Sequence, residues 1–372
     1  MQPKIKKHLV NYQRNTYTKC NALQLEEDKR YLDCALGNNP YGCSPMLFEH
    51  SPAWDINTLA DYPQTSKHFI REIIRYWEKT VRLQEVNIRL EAGAFGVIER
   101  LNKLFVDEKS VTLGYCPQFS DYMQDVLACG GTFQYISLQA EHNYKFNARD
   151  LISALTPAYN LVYLDNPNNP TGQTIPLPEI EMVVQEAQKL DIAVLIDEAY
   201  GDFIPQENSA VALVKKYGNL FVARSFTKGF GLAGLRVGYA VMSEPLAKLF
   251  AKVAHPFPVN ALGQLYAESA LQDSIFLTAC QEKIRSSKSN IISACSKLGV
   301  LETHPTTPIM TLVHPNPAIN LFEEFLKRRV LVTSGEHFVG LGKNSVRLRI
   351  PNEQDQLIIK TIQDIEEAVI SR

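Results

Sequence analysis

Between residues 85 and 245, short runs of β-favouring residues alternate with longer stretches of helical periodicity, and few folds accommodate that rhythm. The strand-like runs are 87–91, 110–115, 132–137, 160–164, 193–197, 219–223 and 236–242. Helical patterns separate most of them. In 97–105, Val97, Ile98, Leu101, Leu104 and Phe105 share one face, and 178–190 follows a proline-rich lead-in suited to a helix start. Strand–helix–strand units connect right-handedly, so the pattern predicts a mostly parallel sheet with helices on both faces. Ala193-Val194-Leu195-Ile196 is apolar at every position, as a strand buried on both faces requires.

From about residue 256 the pattern changes. A long helix is expected over about 261–298, then strand-like pieces at 310–313 and 346–350 around a helix over 317–328, and a last helix from about 353. That reads as a smaller α+β lobe. Pro256 and Pro258 interrupt any helix between the two patterns. The expected division is an N-terminal segment 1–50 joining the small lobe, a large lobe 51–255 and a small lobe 256–372.

Composition removes several classes of function. A formal charge of −2 carries no basic surplus of the kind that binds nucleic acid. No apolar run reaches 18 residues, and the lysines at 4, 6 and 7 precede no apolar stretch, so neither a membrane span nor a secretory leader is expected. The seven cysteines are scattered and form no Cys-x-x-Cys pair, which predicts reduced thiols in the cytoplasm. With no clustering among the eight histidines either, no metal site is expected.

Ligands of parallel α/β sheets bind at the carboxyl ends of the strands, and four loops there carry chemistry. Glu91-Ala92-Gly93-Ala94-Phe95-Gly96 places small residues before a helix, where free N–H groups and the dipole favour an anion. Asp165-Asn166-Pro167-Asn168-Asn169-Pro170-Thr171-Gly172 is stiffened by two prolines and presents amides. Asp197, after a buried strand, needs a partner because a lone buried carboxylate is costly. Finally, Lys228 stands among small residues in Ser225-Phe226-Thr227-Lys228-Gly229-Phe230-Gly231-Leu232-Ala233-Gly234-Leu235-Arg236, where desolvation lowers an amine's pKa and makes it a nucleophile. One amine, one carboxylate, a phenol, an amide and a phosphate-type donor set are the parts that hold pyridoxal 5′-phosphate.

From about residue 32 to 352 the chain resembles the fold-type I pyridoxal-phosphate aminotransferases of class I/II, the branch that includes histidinol-phosphate aminotransferase. The lysine segment carries the resemblance most specifically. It implies that Lys228 binds the cofactor's aldehyde and later shuttles a proton, that Asp197 pairs with the ring nitrogen, and that Tyr200 and Asn169 meet the phenolic oxygen. Ser225, Thr227 and Arg236 would bind the phosphate with the backbone of Gly93, Ala94 and Phe95, and Phe119 takes the place of a ring-stacking tyrosine. Tyr62 matches a tyrosine that reaches the neighbouring subunit's phosphate, which implies a homodimer. Arg347 aligns with the arginine for the substrate α-carboxylate; Arg349, on the same strand face, is the alternative. Asn39 and Tyr41 lie in a segment that covers the substrate in related branches. One departure stands out: Thr333 occupies the place of an arginine that those branches use for a substrate phosphate.

The implied activity is amino transfer between an L-amino acid, or a similar amine, and a 2-oxo acid, in amino-acid biosynthesis. A decarboxylase of the threonine-phosphate type is the alternative, since the same residues hold the cofactor in both.

Overall fold

The computed structural model describes residues 4–16, 30–49 and 55–368. A two-residue strand, β1 (Leu32–Asp33), comes first. Each of the seven strand-like runs then forms a strand: β2 (Ile88–Glu91), β3 (Val111–Cys116), β4 (Thr132–Ser137), β5 (Tyr159–Asp165), β6 (Ala193–Glu198), β7 (Leu220–Ser225) and β8 (Gly238–Met242). They make one sheet in the order β2-β8-β7-β6-β5-β3-β4. Neighbours from β4 through β7 run parallel, while β8 is antiparallel to both β7 and β2. No crossover helix joins β7 to β8. The lysine segment connects them directly, so the chain returns in the opposite direction.

The apolar run of β6 divides by parity. Val194 and Ile196 join the core on one face, with Val162, Leu164 and Val222; Ala193 and Leu195 join the core on the other, with Leu161, Phe221 and Val97. Each such side chain contributes roughly 1.5–3 kcal/mol when fully buried. The second face is covered by the helix Gly93–Phe105, which begins four residues before the periodic stretch at 97. The small residues expected to form a loop therefore build the helix's first turn.

The remaining strands are β9 (Gly299–Val300), β10 (Ile309–Val313), β11 (Val330–Leu331), β12 (Thr333–Ser334) and β13 (Ser345–Arg349). Four of them form an antiparallel sheet, β12-β13-β10-β9, and β1 pairs in parallel with β11. The expected long helix is broken into Ala261–Gln272 and Phe276–Ala294. Asp273 causes the break: its Oδ1 accepts the N–H groups of Ile275 and Phe276, both at 3.0 Å, and caps the second helix. The first helix packs Ala267 and Ala270 into the large sheet's core, and the second sends Ile284 and Ile291 into a separate core with Met310, Leu312, Val346 and Leu348. The helix expected over 317–328 shortens to Leu321–Lys327, because the Asn320 side chain caps it at Glu323 N–H. Among the described residues no helix is long and apolar enough to cross a membrane.

Two buried polar clusters tie these parts together. Arg224 donates to Glu198 Oε2 at 2.9 Å and also to Asp202, and it lies over the Trp77 ring. Lys288 Nζ donates to Thr303 Oγ1 and His304 O at 2.8 Å, Ile309 O at 3.0 Å and Thr307 Oγ1 at 3.1 Å. Thr307 Oγ1 donates in turn to Gly172 O at 2.9 Å, and Thr311 Oγ1 to Pro170 O at 3.0 Å, which binds β10 and the turn before it to the Asn166–Gly172 loop. Replacing Arg224 with methionine leaves two carboxylates buried without a cation, and a loss of about 3–5 kcal/mol in denaturant unfolding is expected. A loss under about 1 kcal/mol would contradict the ion-pair assignment.

Candidate active site

The carboxyl ends of β5, β6 and β7 and the N-terminus of the helix Gly93–Phe105 enclose a cavity of about 400 Å³. Lys228 lines it, three residues beyond the end of β7, with Nζ 5.4 Å from the centre of the Tyr200 ring. Enclosure, aided by the positive charges of Arg347 and Arg236, pushes this amine down to about 7, against the opposing pull of Asp197. Its low affinity for a proton makes it available as a nucleophile near neutrality.

Asp197 stands at the end of β6. Its Oδ2 accepts from Tyr163 Oη and its Oδ1 from Ala199 N–H, both at 2.9 Å. Burial and the neighbouring Asp165 carboxylate push it up to about 6, while those two hydrogen bonds oppose the shift. Asp165 and Asp197 are register partners on adjacent parallel strands, so both carboxyl groups face the cavity.

Another part of the wall gathers donors of the kind that suit an anion. Ala94 and Phe95 open the helix, and Ser225, Thr227 and Arg236 converge there. Arg236 Nη1 donates to Thr227 Oγ1 at 3.3 Å and to Ala233 O at 3.2 Å. Gly93 has φ +77°, and a Cβ there would stand 2.9 Å from Arg236 Nη2, so only glycine lets the guanidinium lie against the helix start. Phe119 supplies an aromatic wall, edge-on to Phe95 at 6.4 Å.

Arg347 is buried beside this cavity rather than lining it. Its Nη1 donates to Asn169 Oδ1 at 2.7 Å, and its Nη2 donates to Ala35 O at 2.5 Å and Thr333 Oγ1 at 3.1 Å. Arg349 is committed elsewhere, to the backbone oxygens of Ile350 and Asp33. Of the two, Arg347 reaches the cavity wall, through Asn169. Thr333 Oγ1 donates to Ala35 O at 2.9 Å and brings no charge.

The structure therefore gathers Lys228, Asp197, Tyr200, Asn169, Phe119, Ala94, Phe95, Ser225, Thr227 and Arg236 around one space. It leaves others out of the lining. Asn39 Nδ2 donates to Gly229 O at 2.8 Å, so it fastens the N-terminal segment to the lysine loop. Tyr41 packs under Lys283, with its ring centre 5.1 Å from Nζ. Tyr62 is 74% exposed and stacks on Phe257 at 4.6 Å. Some lining residues were not anticipated from sequence. Arg14 and Thr16 come from the N-terminal segment, which Tyr12 ties to Gln124 O at 2.8 Å, and Thr16 donates to Asp121 at 3.1 Å. Nothing local in the sequence brings them there. Asp165 carried a legible signal, being an acid at the end of a buried strand, as Asp197 is.

The donor set answers to pyridoxal 5′-phosphate: an amine for the aldehyde, a buried acid for the ring nitrogen, an aromatic wall, and hydroxyls, an arginine and a helix start for the phosphate. Comparison with known proteins agrees. The family model for aminotransferase class I and II matches residues 29–365. The histidinol-phosphate aminotransferase of Methanococcus maripaludis (strain C6) is 29% identical over 92% of this chain and 91% of its own. That of Methanococcoides burtonii is 30% identical over 88% of each. The solved histidinol-phosphate aminotransferase of Sinorhizobium meliloti in complex with pyridoxal-5′-phosphate has the same fold, with a TM-score of 0.82 at 18% identity over 99% of both chains. Both the cavity and the match across 29–365 lead to one conclusion: the chain belongs to the class I and II aminotransferases, which work with pyridoxal phosphate.

Proposed function

We propose that amino transfer takes place in this cavity, with Lys228 as both cofactor anchor and catalytic base. The carrying observation is an amine pushed down to about 7 that shares one cavity with a buried acid and a phosphate-type donor set. When bound, pyridoxal 5′-phosphate supplies an electron sink that acidifies the α-carbon of an amino acid. Asp197 holds the proton on the ring nitrogen. Tyr200 and Asn169 donate to the phenolic oxygen. Ser225, Thr227, Arg236 and the backbone at Gly93, Ala94 and Phe95 take the phosphate, and Phe119 covers the ring face. Lys228 Nζ would anchor the cofactor through its aldehyde and would carry the proton taken from the amino acid's α-carbon. Arg347 holds the α-carboxylate with its guanidinium fork.

The family and the curated relatives favour amino transfer over decarboxylation. Those relatives are named for histidinol phosphate. In this chain Thr333 brings no cation to the place of the phosphate-binding arginine, which favours an amino donor without a phosphate, paired with a 2-oxo acid acceptor in amino-acid biosynthesis. We place the enzyme in the cytoplasm, where the six free thiols among the described residues stay reduced. The proposed division is a large cofactor-binding lobe and a small C-terminal lobe joined by the N-terminal segment, with the helix Ala261–Gln272 packed on the large lobe. A second copy of the chain is the proposed cover for the exposed Phe48, Ile56, Leu59 and Tyr62. Tyr62 would then serve the partner's phosphate site.

Five measurements test these assignments. Free amine, not ammonium, attacks an aldehyde, so cofactor-free protein should capture pyridoxal phosphate faster as pH rises through about 7, and Lys228→Ala should form no borohydride-reducible link. Turnover by Lys228→Ala within about tenfold of wild type would defeat the catalytic role. Arg347→Lys keeps the charge but loses the fork, and a rise in amino-donor KM of about tenfold or more is expected, with an unchanged KM refuting the carboxylate assignment. Sedimentation velocity should show a dimer at micromolar concentration; a monomer throughout would remove Tyr62 from the site.

A further inference from the structure

We propose that Asp165 is a positioning residue of this active site, one carboxylate that fixes both Phe119 and Asn169, with Arg347 behind it, in the cavity wall. The proposal rests on the reading of the cavity as a pyridoxal-phosphate site.

Asp165 ends β5, lines the cavity and is 3% exposed. Its Oδ1 accepts from Tyr115 Oη at 2.7 Å, Asn168 Nδ2 at 3.1 Å and Gln118 Nε2 at 3.2 Å. Its Oδ2 accepts the backbone N–H of Asn169 at 2.9 Å and of Phe119 at 3.3 Å. Five donors fill the accepting capacity of a carboxylate. They come from β3, from the turn that follows it and from the Asn166–Gly172 loop.

The two backbone donors matter most. Phe119 is the aromatic wall of the cavity, and Asn169 is both a lining residue and the acceptor for Arg347 Nη1 at 2.7 Å. A single oxygen atom therefore sets the spacing between the ring-facing aromatic and the amide that orients the guanidinium. Displacing Asn169 passes directly to Arg347. An amide in place of this carboxylate keeps the volume but replaces one accepting oxygen with an NH2 group that faces two or three donors. Asp165→Asn should therefore loosen both walls without opening a cavity.

The experiment compares wild type with Asp165→Asn. Affinity for pyridoxal 5′-phosphate is read by absorbance titration, the setting of the bound ring by its induced circular dichroism, and the fold by the Tm of the cofactor-free protein. Cofactor Kd and amino-donor KM are each expected to rise about tenfold, with kcat changed by less than about threefold and the induced dichroism altered. Kd, KM and dichroism all within about twofold of wild type would overturn the proposal. If Asp165→Asn does not fold, Tyr115→Phe removes one donor hydroxyl at little change in volume. It should shift the same quantities in the same direction, by about threefold. Wild-type values in that variant would also overturn the proposal. Wild-type protein that binds no cofactor defeats the active-site reading itself, whereas cofactor binding unaffected by Asp165→Asn defeats this inference alone.

Discussion

Glu198 and Arg224 face each other across β6 and β7 as register partners, and their buried ion pair at 2.9 Å pins the alignment of those strands. Much of the site follows from that alignment. Side chains alternate between faces along a strand, so a slip of one residue would send Asp197 to the wrong side of the sheet. The neighbouring β5–β6 register sets Asp165 beside Asp197, and β7 ends at Ser225, from which the lysine loop departs. Asp202 and the Trp77 ring also meet the Arg224 guanidinium, which therefore faces two carboxylates where water does not reach.

Much of the cavity lining was legible in the sequence because it is assembled from loops directly after strands. The central strands β6 and β7 show apolar runs, and the loops after β5 and β6 start at an acid. Lys228, Asp197 and Asn169 could be read one segment at a time. Arg14 and Thr16 could not, since their place depends on Tyr12 reaching Gln124 and Thr16 reaching Asp121, contacts more than a hundred residues apart in the chain. The division of the helix over 261–298 was hidden for a different reason. Asp273 sits in an otherwise helical pattern, and only its two accepted N–H groups mark it as a cap. Asn39 was read from its segment as a substrate contact, but its side chain is spent on Gly229 O and Tyr41 N–H.

The four-stranded sheet meets the cavity through the Asn166–Gly172 loop. Thr307 and Thr311 donate to its carbonyls, Lys288 sits behind them in a cage of oxygens, and Arg347 approaches Asn169 from β13. Lys288 has no carboxylate among these partners, and burial holds its amine well below the usual range. Its cage contributes geometry: four acceptors gathered at one point keep residues 303–309 folded against Gly172, whose φ of +75° allows their close approach.

Arg347 donates to three oxygens of its own chain. An incoming carboxylate at the proposed position has to share or take over a contact made by a neutral amide or hydroxyl. The net gain is the difference between a charge-assisted hydrogen bond and an ordinary one, about 1 kcal/mol per bond exchanged. Such a grip tells acid from non-acid yet lets go readily. A catalyst that must release one acid as an oxo compound and admit another through the same doorway in every cycle is well served by a hold of that strength.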